Sequence, residues 1–256
     1  MKIWVFSRRA LLHGLLALIC GVLIVTLAVS TAKSAIAAST SGRKIPIYCV
    51  EKSEKTISIS FDAAWGNEDT EQLIEELAQY HVKATFFVVG QWVDKYPESV
   101  KALSDAGHEV MNHSNTHPHM PQLSAAQMAA EIQACNEKIA AITGVTPKLL
   151  RPPYGDYNNT LVETLKNMGM YCIQWDVDSL DWKDLSAEEI TKRVTSRVKN
   201  GSIVLFHNAA KHTPEALPTI LDELINKQGY TIVPISQLIY DGVYEGDHEG
   251  RQHPAG

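Results

Sequence analysis

Several titratable side chains in this 256-residue chain come directly after short apolar runs that predict buried strands. Asp62 follows the run 57–61, and His207 follows the run 203–206. The other residues placed in this way are His113, Arg151, Asp176 and Asp178. Taken singly, a strand-end Asp is usually a helix cap and a lone His a neutral packed side chain. Together, at the edge where parallel strands end, they predict a catalytic site.

His113 and His117 form a second pattern, because they are four residues apart. On a helical turn the two imidazoles would share a face and could clamp a divalent metal such as zinc. The alternative is a pair of loop histidines whose backbone is capped by Ser114 and Thr116. The spacing alone leaves both interpretations open.

The elements that must position these residues alternate between strands and helices. The predicted strands are 56–61, 84–89, 108–112, 148–150, 170–175, 202–206 and 230–233. The predicted helices lie near 68–80, 97–106, 124–142, 159–168, 186–199 and 214–228. Alternation repeated about seven times predicts an α/β fold, a distorted (β/α)7-type barrel in a single catalytic domain. An open doubly wound sheet is the alternative, although the chain has no glycine-rich phosphate loop to favour it.

The composition and the N-terminus limit the function classes. Hydrophobic residues make up 45% of the chain, as in an ordinary globular protein. Residues 1–37 carry four basic side chains and no acid around an uncharged run at 14–29, which predicts a signal peptide cleaved after Ala37 or a retained membrane anchor. Residues 38–256 carry 19 basic and 29 acidic side chains, a net charge of −10 that disfavours nucleic acid and anionic lipid as partners.

Three further segments complete the predicted organisation. Residues 38–54 are an N-terminal lead-in, 55–240 the catalytic domain, and 241–256 a loose polar tail. The body contains an odd number of cysteines without CxxC spacing, namely Cys49, Cys135 and Cys172. We expect three buried thiols rather than a zinc or disulfide framework.

Five motifs in order give the chain a specific resemblance. The motifs are Ser60-Phe61-Asp62, His113-Ser114-Asn115-Thr116-His117, Arg151-Pro152-Pro153-Tyr154-Gly155, Asp178-Ser179-Leu180-Asp181-Trp182 and Leu205-Phe206-His207. With them, the chain resembles the polysaccharide deacetylases that share the NodB-type homology domain, which are carbohydrate esterases acting on N-acetyl sugars. The segment from Phe61 to Gly66 is similar to the corresponding segment in the sporulation-associated branch of that family.

The resemblance implies a role for each matching residue. Asp62 would be the general base, kept ionised by Arg151, and His207 the general acid, its ring held by Asp178. The backbone N–H of Tyr154 would help to bind the oxyanion, and Trp182 and Leu205 would line the pocket for the acetyl methyl group. A divalent metal, expected to be zinc, would be held by His113 and His117.

Ala63 departs from the family pattern, which usually has a second aspartate there as the third metal ligand.

The leading hypothesis is an exported cell-wall hydrolase, anchored or secreted. It would remove acetyl groups from N-acetylglucosamine or N-acetylmuramic acid units of peptidoglycan or a chitin-like glycan, with a possible use in spore formation. The alternatives are a catalytically weak or silent glycan-binding member, which Ala63 favours, and a hydrolase of small amides. Contact with a membrane would come only through the N-terminal segment.

Overall fold

The apolar runs form strands in the computed structural model, which describes residues 42–255. The strands, in chain order, are β1 (Cys49–Val50), β2 (Thr56–Ala63), β3 (Thr85–Val88), β4 (Glu109–Asn112), β5 (Leu149–Leu150), β6 (Tyr171–Cys172), β7 (Val177–Asp178), β8 (Ile203–His207), β9 (Thr231–Ile232), β10 (Tyr244–Gly246) and β11 (Arg251–Pro254). The α-helices are α1 (Thr70–Gln79), α2 (Gly90–Lys95), α3 (Pro97–Asp105), α4 (Ala125–Thr143), α5 (Asn159–Asn167), α6 (Ala187–Thr195), α7 (Thr213–Leu221) and α8 (Ile235–Leu238). A π-helical turn at Asp222–Lys227 extends α7.

The central sheet has the order β6-β5-β4-β3-β2-β8-β7, and its neighbouring strands are parallel. β9 adds a short parallel pairing at the start of β2. Since helices connect most of these strands, the architecture is the predicted distorted barrel of about seven strands. A parallel sheet of this kind gathers the carboxyl ends of its strands at one edge.

The central strand β2 shows how the sequence alternation builds the core. Ile57, Ile59 and Phe61 lie in an apolar cluster with residues of the surrounding helices. Ser58, Ser60 and Asp62 occupy the intervening positions and so point to the other face of the sheet. The strand therefore carries apolar packing on one face and the polar groups of the candidate site on the other.

Local sequence signals set several helix ends. Ser124 forms a capping box with Gln127 at the start of α4, and Gly144 ends that helix in the left-handed region with φ +73°. Ser186 and Glu189 form a second capping box at the start of α6. The cysteines Cys49, Cys135 and Cys172 are buried and free, as expected.

The ends of the described chain differ from the prediction in one respect. Residues expected to form a loose tail instead form β10 and β11, which join β1 in a second sheet of order β1-β11-β10. The lead-in also pairs with the barrel, since Ile47 bridges Ile173 and Cys49 bridges Ser202. Short polar strands of this kind lack the apolar alternation by which strands are recognised in sequence.

The predicted signal or anchor at residues 1–37 lies outside the described residues. Within residues 42–255, no helix combines the length and the apolar character needed to cross a bilayer.

Candidate active site

The barrel brings the predicted acid, base and arginine to one edge of the sheet. Asp62, near the end of β2, is in register with His207 at the end of β8. His113 directly follows β4, and Arg151 directly follows β5. Asp176, by contrast, accepts hydrogen bonds from the Ser202 hydroxyl and the Ile203 N–H at the start of β8, so it lies outside the site.

A buried ion pair joins Arg151 and Asp62. The Arg151 Nη1 donates to Asp62 Oδ1 at 2.8 Å, and neither side chain has more than 8% of its surface exposed. Burial alone would raise the pKa of Asp62, but the Arg151 guanidinium, with smaller contributions from His113 and His207, brings that pKa below its ordinary value. The carboxylate is therefore held ionised, the state that a general base requires.

Ser60 and Gln174 complete the arginine site, and sequence reasoning assigned neither of them a role there. The Arg151 Nη2 donates to Ser60 Oγ at 2.8 Å and to the Gln174 carbonyl oxygen at 3.2 Å. The guanidinium carbon also lies 4.2 Å from the centre of the Phe87 ring. Ser60 precedes Asp62 by two residues, so strand alternation could have placed it beside the base.

The carboxylate that holds His207 is Asp181, and the prediction of Asp178 for this contact is wrong. His207 Nδ1 lies 2.8 Å from Asp181 Oδ1, and Asp181 Oδ2 accepts hydrogen bonds from the His207 N–H and the Thr213 hydroxyl. Asp178 Oδ1 instead accepts a bond from the Leu180 N–H. Leu180 has a left-handed backbone, with φ +56°, in the turn between these two aspartates.

Asp181 also sets the charge state of His207. Burial would lower the pKa of His207, but the hydrogen bond and negative charge of Asp181, aided by Asp62 and Asp178, raise it above its ordinary value. Near neutral pH a larger fraction of the imidazole is therefore protonated than in a free histidine. Asp62, held by Arg151, and His207, held by Asp181, thus present an ionised carboxylate and a proton donor on the adjacent strands β2 and β8.

His113 and His117 lie together, but on a loop rather than on a helical turn. Their ring centres are 5.0 Å apart, and the Ser114 hydroxyl accepts a bond from the His117 N–H, as the loop interpretation expected. His113 Nδ1 donates to the Arg151 carbonyl oxygen at 2.7 Å, which leaves Nε2 as the free nitrogen, 3.6 Å from Asp62 Oδ2. Burial lowers the pKa of both rings, that of His117 to about 4, so both are neutral at pH 7.

The donor set does not fit a complete zinc site of the expected kind. Neutral imidazoles can ligate zinc, and a ligating His commonly donates its other ring nitrogen to a carbonyl as His113 does. Ala63 contributes no ligand: its side chain is 1% exposed and lies in the apolar cluster on the helix side of β2. The described residues contain no group of three His, Cys, Asp or Glu side chains arranged to hold a metal. Catalytic zinc generally has three protein ligands.

Residues proposed for the substrate pocket stand around this centre. Tyr154 lies in a tight turn with φ +60°, and the residue is 56% exposed. Trp182 is 57% exposed and directly follows Asp181. Leu205 is buried on β8, two residues before His207 and therefore on the same face of the strand.

His119, two residues after His117, is engaged with a carboxylate and an aromatic ring of the neighbouring loop. His119 Nδ1 lies 2.5 Å from Asp156 Oδ2, and its ring stacks on Tyr154 with centres 4.2 Å apart. Glu68, in the loop after β2, accepts a hydrogen bond from the Asn67 N–H.

Comparison with known proteins identifies the family. A family model described as polysaccharide deacetylase matches residues 50–173. The peptidoglycan-N-acetylmuramic acid deacetylase PdaA of Bacillus subtilis (strain 168) is 33% identical, over 76% of this chain and 75% of its own. The chain belongs to the polysaccharide deacetylase family. PdaC of the same organism, another peptidoglycan-N-acetylmuramic acid deacetylase, is 36% identical over 74% of this chain and 40% of its own.

A solved structure within this family adds a contrast. BA3943 from Bacillus anthracis, described as a CE4 family pseudoenzyme, has a TM-score of 0.73 and 36% identity, covering 75% of this chain and 68% of its own. A mutant of that protein is described as having restored enzymatic activity. This chain spans less than two thirds of the length of several curated relatives of the family, PdaC among them.

Proposed function

We propose that this polysaccharide deacetylase family member hydrolyses the acetamide of N-acetylglucosamine or N-acetylmuramic acid units in cell-wall glycan. The observation that carries the proposal is that Asp62, paired with Arg151, and His207, paired with Asp181, are in register on neighbouring strands. Such an arrangement separates an ionised base from a proton donor, as amide hydrolysis requires. A module that only binds glycan has no need of either pair.

The chain's own residues then divide the reaction between them. Asp62 accepts a proton from a water molecule while the oxygen of that water attacks the acetyl carbonyl carbon. The Tyr154 backbone N–H stabilises the oxyanion that forms. His207 donates its proton to the nitrogen as the C–N bond breaks, so that acetate and a free amine leave. Trp182 and Leu205 enclose the acetyl methyl group.

The setting of the reaction is part of the proposal. PdaA and PdaC are named for N-acetylmuramic acid in peptidoglycan, which lies outside the cytoplasmic membrane. The N-terminal pattern of basic residues before an uncharged run supports export, with the protein secreted or anchored. Similarity of the segment around Trp65 to sporulation-associated members supports a use in spore formation.

A second candidate function is glycan binding without turnover. It is favoured by Ala63, which removes a metal ligand of the family, and by similarity to a protein described as a pseudoenzyme. Under this candidate the exposed aromatic residues Tyr154 and Trp182 contact the glycan, while the acid and base are retained but take part in no reaction.

Acetate release distinguishes the two candidates. The full-length chain is incubated with N-acetylated peptidoglycan and with N-acetylglucosamine oligomers, after treatment with chelator and after addition of zinc or cobalt. We expect release that falls by about 10²-fold or more in Asp62→Asn, which removes the base at nearly constant shape. Val145→Ala, at an exposed position after α4, is the matched control and should keep the wild-type rate. Glycan binding with no acetate release under any metal condition would establish the second candidate instead.

A further inference from the structure

Trp65 is the most exposed tryptophan among the described residues, with 65% of its surface accessible, yet it stands beside the buried candidate site. It follows Asp62 by three residues, in the loop that leaves β2. Its ring makes an edge contact with His117, with centres 5.2 Å apart. A large apolar ring left in water beside a candidate active site indicates a surface that a ligand covers.

The loop that carries Trp65 is held firmly in place. The Asn208 side-chain amide donates to the Trp65 carbonyl at 2.7 Å and to the Gly66 carbonyl at 2.8 Å. The Trp92 indole N–H also donates to the Gly66 carbonyl oxygen, at 2.6 Å. Gly66 has φ +52°, and a side chain there would collide with Ala209. Because the backbone that carries the ring is fixed, a ligand that stacks on Trp65 does not have to order the loop.

The same anchor ties the ring to the chemistry of the site. Asn208 is 7% exposed and directly follows His207, the proposed acid. The backbone of Trp65 is therefore positioned by the residue that follows β8, and successive contacts link the Trp65 ring through His117 and His113 to Asp62. A glycan with one sugar at Asp62 would place an adjoining sugar near Trp65.

The chemistry of the surroundings selects the ligand class. A pyranose ring has an apolar face of C–H groups, which packs against an aromatic ring, while its hydroxyls remain in water. The acidic body of the chain disfavours polyanions at this surface. A neutral N-acetylated sugar suits both conditions.

We propose that Trp65 forms an additional subsite that binds a sugar next to the one whose acetamide faces Asp62. This inference rests on the proposed function for its choice of ligand. With this subsite, Trp65 would make the protein bind glycan chains more tightly than single sugars.

The test measures binding separately from turnover. Binding of the N-acetylglucosamine monosaccharide and tetrasaccharide, and of a peptidoglycan-derived tetrasaccharide, is measured by titration in the full-length Asp62→Asn chain. Adding Trp65→Ala should weaken binding of at least one tetrasaccharide by about tenfold and change that of the monosaccharide by less than about twofold. Trp65→Phe should recover most of the loss, and Val145→Ala should have no effect. Thermal unfolding of each variant shows that the fold is kept.

The outcomes separate the subsite from the hydrolytic function. Selective loss of tetrasaccharide binding supports the subsite even if the wild-type chain releases no acetate, which would refute only the proposed reaction. If the wild type releases acetate but Trp65→Ala keeps its KM and its affinity for the tetrasaccharides, the subsite proposal is overturned. Equal losses for monosaccharide and tetrasaccharide, or no tetrasaccharide binding by the parent Asp62→Asn chain, also overturn it.

Discussion

At the scale of single residues, the proton donor depends on one buried carboxylate. Asp181 raises the pKa of His207 against the opposing effect of burial. Activity that needs protonated His207 should therefore persist below that raised pKa and be lost as the pH rises through it. Asp181→Asn keeps a hydrogen-bond acceptor but removes the charge, so the falling limb of kcat/KM should move to lower pH. An unchanged limb would show that His207 is not the acid.

Ala63 gives a second residue-scale prediction. Ala63→Asp places a carboxylate in an apolar cluster, and without metal it should lower the free energy of unfolding by about 1–3 kcal/mol. If the carboxylate can turn toward His113 and His117, zinc should then restore stability and raise the unfolding midpoint more than it does for wild type. Ala63→Asn is the control, because a neutral amide is a poorer zinc ligand. Equal zinc responses in wild type and Ala63→Asp would mean that position 63 cannot reach the metal.

At the scale of elements, two loops of the site are joined by a contact that spacing did not predict. His119, after the loop that holds His113 and His117, is paired with Asp156, which follows the Tyr154 turn. Stacking of the His119 ring on Tyr154 strengthens the same link. The pair therefore holds the proposed oxyanion donor against the histidine loop.

Breaking this link should affect kcat more than KM. His119→Ala removes both the stack and the hydrogen bond, and we expect kcat to fall by about tenfold because the Tyr154 N–H is less well placed. Asp156→Ala should give a smaller loss, and the double variant should resemble His119→Ala, since the two side chains act through one contact. Additive losses would show that they act separately.

The site residues on regular strands could be predicted from the sequence, whereas those in irregular turns could not. Alternation along β2 and β8 placed Asp62 and His207 at one edge, because side chains of strands alternate with a period of two. In the segment 178–182 the left-handed turn at Leu180 directs Asp181, and not Asp178, toward His207. Spacing cannot specify such a turn when the residue is a leucine, since left-handed leucines are uncommon. The two-residue strand β7 was missed for a related reason, as it is too short to show a period.

At the scale of the whole molecule, both ends of the described chain brace the barrel. The lead-in pairs with residues at β6 and β8, and β11 pairs with β1 in parallel. The buried Gln252 exchanges two hydrogen bonds with the backbone of Tyr240, at 2.8 Å each. Gln252→Ala should leave these backbone groups without partners and lower the free energy of unfolding by about 1–3 kcal/mol, measured by urea denaturation. Val243→Ala, at an 83% exposed position, is the control and should change it little.

The same brace should respond to pH through His253. On β11 its ring lies between Glu51 at 2.9 Å and Asp247 at 3.3 Å, and their hydrogen bonds raise the pKa of His253 above its ordinary value. A group whose pKa is raised by folding stabilises the folded chain fully below its unfolded pKa, and that contribution disappears as the pH rises through the folded value. The stability difference between wild type and His253→Gln should therefore be largest in mildly acidic solution and shrink toward alkaline pH. High salt should reduce it as well, because the charges are close to the surface. A difference that grows with pH would show that the neutral ring, and not the ion pairs, holds β11 to β1.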